Sequence, residues 1–166
     1  FSTYDMDMLK NRSSATAIAI DDNNIMIVGG DNDDSYYIKT SEIFTIDAQA
    51  VDNGPQMLDY PNGLINAQLI KQDGSIYLLG GVYYSSTYKS SIYKLVTSTE
   101  TGGYDWEYYD DFIYPLGKTS KVLNSGNDIY VVGGQNADWF VPYVTKVDFT
   151  SKTYTIESSN ESVRRD

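Results

Sequence analysis

The stretch "IYVVGG", Ile129 to Gly134, runs four strand-forming residues into a glycine pair and then breaks into a polar, aromatic loop that reaches Trp139. The same phrase occurs twice more. "NIMIVGG" ends at Gly29-Gly30 and "SIYLLGG" at Gly80-Gly81, so the pairs lie 51 and 53 residues apart. Ahead of each run sits a short turn rich in Asx or Gly: "DDNN" (Asp21 to Asn24), "KQDGS" (Lys71 to Ser75) and "NSGND" (Asn124 to Asp128). Such residues tolerate positive φ and close tight hairpins. A further strand-like run precedes each turn, "TAIAI" from Thr16, "AQLI" from Ala67 and "KVL" from Lys121. Each unit therefore opens with a hairpin whose second strand ends at Gly29-Gly30, Gly80-Gly81 or Gly133-Gly134. These six glycines read as scaffold, removing a side chain where a third strand turns back closely. With no GxGxxG pattern or Walker-type lysine beside them, they are no phosphate cradle.

After each loop comes a third strand, "EIFTID" (Glu42 to Asp47), "SIYKLV" (Ser91 to Val96) or "YVTKVDF" (Tyr143 to Phe149). A weaker fourth follows at "QAVDNG" (Gln49 to Gly54), "YDWEYY" (Tyr104 to Tyr109) and "TYTIES" (Thr153 to Ser158). No segment of helix length carries a 3.6-residue apolar period. Four short antiparallel strands per unit, repeated every ~50 residues, predict an all-β chain of propeller blades. The expected division is the outer strand of a preceding blade and an entry segment over 1–11, blades over 12–58, 59–112 and 113–158, and the entry to a following blade over 159–166. "FSTYDM" at the start resembles "KTYTIES" near the end, as a window on a longer run of blades would. Rings typically hold 4–8 blades. Three blades read as half of a six-bladed ring, open faces inviting further copies or another chain to supply the rest.

The apolar run closed by a glycine pair, at this period, resembles the kelch repeat. In that family the pair ends the second strand of a blade and an aromatic pair lies downstream. Tyr93 and Trp106 match that pair in the middle unit, with Phe44 and Tyr154 as partial substitutes in the outer ones, and "MLKNR" (Met8 to Arg12) resembles the family's entry segment. Trp is missing from the aromatic pair in two units, and "YPNG" (Tyr60 to Gly63) and "YPLG" (Tyr114 to Gly117) replace the entry Arg. The family includes copper-radical oxidases, which need histidine ligands and a Tyr–Cys cross-link. It also includes ubiquitin-ligase adaptors, which carry an added helical domain. Neither set of parts is present.

Composition narrows the chemistry. The 166 residues carry a formal net charge of −11, with no His and no Cys. An acidic surface repels phosphate backbones, so nucleic acid and anionic membranes are poor partners. No apolar run approaches the ~20 residues of a membrane helix. Without His or Cys the chain lacks the commonest general base, the commonest metal ligand and any thiolate nucleophile. We therefore expect no catalysis, no cofactor and no metal site. "DNDD" (Asp31 to Asp34), Asp21-Asp22 and Asp110-Asp111 lack the spacing of a calcium loop and read as solvated turns.

What remains is a surface. The loops after the second strands and the connections between units emerge on one rim, and they are aromatic: Tyr36, Tyr37, Tyr83, Tyr84, Tyr88, Trp139, Phe140 and Tyr143, joined by Tyr60 and Tyr114. Rigid amphipathic rings suit protein interfaces and stack on sugars, and they also serve as plain packing. Sequons at Asn11 and Asn160 are candidate N-glycosylation sites, which would make the chain extracellular or secreted; without their use a cytoplasmic reading stands. The leading expectation is a non-catalytic protein–protein interaction module. The alternatives are a structural subunit of an extracellular array or filament, and a carbohydrate-binding propeller.

Overall fold

The computed structural model describes residues 7–33, 37–57, 63–83, 87–100, 102–135 and 140–159. Among them there is no helix, and the strands form three antiparallel sheets. Sheet 1 holds β1 (Thr16–Ala19), β2 (Asn24–Val28), β3 (Thr40–Thr45) and β4 (Ala50–Gln56), paired in chain order. Sheet 2 holds β5 (Gln68–Gln72), β6 (Ser75–Leu79), β7 (Val82–Tyr83), β8 (Thr87–Thr97) and β9 (Tyr104–Leu116), with β7 and β9 both pairing with β8. Sheet 3 holds β10 (Lys121–Ser125), β11 (Asp128–Val132), β12 (Tyr143–Asp148) and β13 (Thr153–Ser159), again in chain order. Sheet 2 thus has five strands rather than the four expected, because two residues after its glycine pair add a short strand. Its last strand also runs on to Leu116, well past Tyr109.

Turn chemistry fixes the hairpins. The Asp21 carboxylate accepts the backbone N–H groups of Asn23 and Asn24, each at 2.8 Å, which closes the β1–β2 turn. Asp148 does the same for Thr150 at 2.9 Å and Ser151 at 3.3 Å between β12 and β13. Both carboxyls titrate below the ordinary range, Asp21 chiefly through Asn24 and Asp148 chiefly through Ser151. Ladder register aligns the sheets residue by residue. Val28, Leu79 and Val132 are equivalent, each preceding a glycine pair, and they face Ser41, Ile92 and Val144. On this register Tyr93 stands level with Glu42 and Thr145, while Phe44 stands level with Leu95. Phe44 therefore stands two residues further along its strand than Tyr93 does, on the same face of the sheet.

Burial follows that period at the ends and loses it in the middle. In β2, Met26 and Val28 are buried while Ile25 and Ile27 are half-buried; in β11, Ile129 and Val131 are buried while Tyr130 and Val132 are half-buried. In β6 every residue from Ile76 to Leu79 is buried. Sheet 2 is covered on both faces and its neighbours on one. Met26, Val28 and Ile18 of sheet 1 meet Leu78, Tyr93, Leu95 and Trp106 of sheet 2. Tyr77, Leu79 and Ile92 meet Ile129, Val131, Val147 and Phe149 of sheet 3. Tyr77 and Phe149 stack at 4.3 Å across that boundary. Lys71 donates to the Ile20 carbonyl at 2.7 Å, and the Phe149 N–H donates to Gln72 at 3.0 Å, tying the hairpin ends of successive sheets.

The glycine pairs lie beside the returning third strand, as expected, with the Lys89 carbonyl 3.1 Å from where a Cβ at Gly80 would stand, and the first two pairs are also crossed by the chain leading to the next sheet. A Cβ at Gly29 would stand 2.2 Å from the Leu64 carbonyl oxygen, and one at Gly80 2.4 Å from Leu116 Cβ. Leu64 and Leu116 belong to the segments leading into the following sheets. The second glycine of each pair meets its own sheet's entry instead: Ser13 for Gly30, Leu64 for Gly81 and Ser120 for Gly134. Backbone bonds lock the crossing, with Gly30 N–H donating to Leu64 at 2.9 Å and Gly81 N–H to Leu116 at 2.7 Å. Each entry segment then turns through a non-glycine residue at positive φ, Ser14 (54°), Asn66 (56°) or Thr119 (67°).

The entry to sheet 1 is pinned by charge. Arg12, its side chain 0% exposed, pairs with Glu42 at 1% and donates to the carbonyls of Gly29 at 2.7 Å and Thr40 at 2.9 Å. Glu42 also accepts the N–H groups of Leu9 at 2.8 Å and Lys10 at 3.1 Å. The carboxylate thereby gathers charge and hydrogen bonds, as a buried ion requires. Leu64 and Gly117 take Arg12's place in the later units, and Tyr93 and Thr145 take the place of Glu42.

Two outcomes follow from these contacts. Gly80 and Gly133 share nearly one φ, 58° and 59°, but among the described residues a Cβ at Gly133 finds only the Val141 carbonyl, at 3.7 Å. Both alanine substitutions carry the left-handed penalty of ~1–2 kcal/mol. Gly80→Ala adds an overlap worth ~1–3 kcal/mol more. Urea unfolding at low protein concentration should rank Gly80→Ala clearly below Gly133→Ala, and equal losses would refute the entry-segment contact. Arg12→Met should cost about 3–5 kcal/mol by stranding the Glu42 carboxylate, and the double replacement Arg12→Met/Glu42→Met should recover much of that in the same assay.

Candidate interaction surface

The loops that follow the glycine pairs and the connections between sheets lie against one another. Leu64 N–H donates to the Ile38 carbonyl at 3.4 Å and Met57 N–H to Lys39 at 3.1 Å, which holds the first loop on the first connection. Between the second and third units Gly117 does this work. A Cβ there would lie 1.9 Å from the Tyr88 ring and 2.0 Å from the Gln135 carbonyl. Tyr88 is therefore laid on backbone, and its neighbours Gly117 and Gln135 form the third unit's side of the same end.

This geometry divides the aromatic residues. Phe140, bridged across the backbone to Gln135, is 78% exposed and is presented to solvent. Tyr83 in β7 is half-buried, with Lys89 Nζ 5.1 Å from its ring centroid. Tyr37 is half-buried as well, and its carbonyl carbon would lie 2.6 Å from a Cβ at Gly63. Tyr143 lies 5.7 Å from Tyr114, whose hydroxyl hydrogen-bonds Thr145 at 2.7 Å. Tyr114 in turn meets Phe112 edge-on at 4.7 Å. Tyr88, Tyr114 and Tyr143 thus continue the core to the rim, whereas Phe140 has solvent on its ring. Tyr36, Tyr60, Tyr84 and Trp139 lie outside the described residues, as does Asn160. Asn11 is exposed; the hydroxyl of its sequon partner Ser13 donates to Asp31 at 2.5 Å.

Asp31 is a residue that the sequence reading placed in a solvated turn. Its backbone N–H and carbonyl also exchange bonds with Ser13 at 2.9 and 2.8 Å, so it latches the entry segment to the first glycine pair. Nothing local marks that role, because the partners are 18 residues apart. Asp110 accepts the Tyr154 hydroxyl at 2.9 Å, across the boundary of sheets 2 and 3. Among the described residues no three Asp or Glu side chains converge in a way that would hold a metal ion. No described helix is long and apolar enough to cross a membrane.

Three tyrosines carry the electrostatic signature of the packed side. Tyr114 titrates above the ordinary phenol value through burial, with Tyr143 adding to the shift. Tyr154 is raised further, by burial and then by the Asp110 carboxylate it bonds. Tyr109, whose hydroxyl donates to the Phe149 carbonyl, is raised by burial and by Tyr77.

No family model matches the chain, and no curated protein matches it. Among solved structures it is similar to one described as "Structure of YjhT", with a TM-score of 0.70 at 15% identity. That superposition covers 91% of this chain and 53% of the other, so the chain spans about half the length of that structure. At this identity the likeness shows the arrangement of sheets and nothing of activity.

A phenol whose folded value lies above its unfolded one stabilises the fold fully below about pH 10 and loses that contribution as pH rises through the folded value. Tyr109, Tyr114 and Tyr154 all have this sign. Urea midpoints should therefore fall as pH is raised above about 10, the ordinary phenol value. Tyr114→Phe should flatten that fall. An unchanged slope in the variant would remove Tyr114 from the account.

Proposed function

We propose that the chain is a non-catalytic interaction module of kelch-type propeller blades, three blades forming half of a six-bladed ring, which holds a protein partner on its aromatic rim. The observation that carries this reading is Phe140, an aromatic ring 78% exposed at the end where Tyr37, Tyr83 and Tyr88 also emerge. A large ring left in water, at an end that also carries half-buried tyrosines, matches the composition of binding hot spots, where aromatic anchors dominate and a partner excludes the solvent. The acidic net charge of −11 favours a partner with a basic rim. Exposure of Asn11 is compatible with a glycosylated, extracellular chain. Assembly of copies into a larger array is a second reading, favoured by the half-buried apolar rows on the two end sheets.

The rim is tested with peptides selected from a displayed random library on the immobilised chain. Phe140→Ser combined with Tyr83→Ser should weaken the selected peptides by about tenfold or more, close to 1.4 kcal/mol, with the thermal midpoint little changed. Affinity that survives both replacements would sink the protein-binding reading, and enrichment on a glycan array in place of peptides would redirect the rim to sugars.

A further inference from the structure

We propose that two copies of the chain associate head to tail, the outward face of sheet 1 in one copy packing on the outward face of sheet 3 in the other. The inference concerns the flat faces of the sheets rather than the rim, so its failure leaves the rim reading standing. Strands β2, β6 and β11 align residue by residue. Val28 is 2% exposed and Leu79 0%, each covered by the following sheet, whereas Val132 at the same position is half-buried. On the opposite face Leu78 is 1% exposed and Val131 0%, each covered by the preceding sheet, whereas Ile27 is half-buried. Ile25 repeats the difference against Ile76 and Ile129. Each end sheet therefore keeps one apolar row in partial contact with water. The two rows are the opposite halves of a contact that the chain builds twice within itself.

The backbone repeats the argument. Gly30 donates to Leu64 and Gly81 to Leu116, in both cases to the entry segment of the next sheet. Gly134 holds the third such position, and no described residue stands there as Leu64 and Leu116 do. Among the described residues a Cβ at Gly133 would have only the Val141 carbonyl near it, at 3.7 Å, where the entry segment fills the space at Gly29 and Gly80. The entry segment of a second copy has the matching group. Ser13 exchanges backbone bonds with Asp31 as Ile65 does with Val82, which makes Arg12 the equivalent of Leu64. In this arrangement the entry segment of the second copy offers its Asn11 or Arg12 carbonyl to the Gly134 N–H, and the copy covers Leu123, now 51% exposed on sheet 3. Lys146 and Asp128 on that face already pair with each other at 2.9 Å. Two different faces meet, so the contact is heterologous, closing when two copies satisfy both ends and extending when they do not.

Sedimentation of the intact chain at about 100 µM, far above the micromolar dissociation constants of weak complexes, should give at least twice the 18.6 kDa of one copy. Ile27→Glu and Val132→Lys should each shift the mass toward one copy while leaving the circular dichroism unchanged. An equimolar mixture of the two variants should regain a two-copy mass, because the intact sheet 3 face of one meets the intact sheet 1 face of the other. A wild-type chain that stays monomeric, association that survives both single substitutions, or a mixture that stays monomeric each overturns the proposal.

Discussion

The crossing of the polypeptide beneath the first two glycine pairs governs this structure. The chain leaving one sheet has to pass the end of that sheet's second strand before it can begin the next, and it passes at backbone contact distance. Gly29 against Leu64 and Gly80 against Leu116 leave no room for a β-carbon, and the N–H of the neighbouring glycine ties down the passing carbonyl. Once that spacing is set, the flat faces of consecutive sheets lie close enough for Met26 to reach Leu78 and for Tyr77 to stack on Phe149. The apolar burial that stabilises the chain is therefore conditional on a few ångströms of absent side chain. A glycine pair at each crossing costs conformational entropy in the unfolded chain, and the packing it permits repays this.

Polar groups do a different task in each unit. In the first, Arg12 and Glu42 are removed from water together and satisfy four backbone groups between them. In the second and third the same two places are taken by uncharged residues, Leu64 with Tyr93 and Gly117 with Thr145. The Tyr88 ring lies against Gly117, filling with an aromatic face the volume that a side chain would need there. Equivalent geometry is thus reached by ionic, apolar and aromatic means. A buried ion pair is rarely better than a hydrophobic substitute in stability terms. The first unit's version instead fixes where Leu9 and Lys10 approach β3.

Much of the fold was legible in the sequence, because a strand's period of two and a hairpin's need for Asx or Gly are local rules. The hairpins before each glycine pair appear within one or two residues of where "TAIAI", "AQLI" and "KVL" place them. What escaped reading depends on distant partners. β7 exists because Val82 and Tyr83 find Tyr88 and Thr87, and a two-residue strand has no period to detect. Thr119 at φ 67° is a β-branched residue where such a backbone is rare, forced by the entry segment and unmarked by any glycine. Of the aromatic rim, sequence identified the residue types, but it could not separate Phe140, facing water, from Tyr143 beside Tyr114. The first is a matter of what lies above the ring, and the second of what lies beneath it.

The contrast between sheet 2, buried on both faces, and its neighbours, buried on one, has a consequence for how the molecule comes apart. In a linear stack each layer's stability is its own contribution plus that of its adjoining contacts, so layers at the extremities have fewer contacts to lose. Fraying should start from either flank and move inward, and the amides of Ile76 to Leu79 should be the last to exchange their hydrogens with solvent.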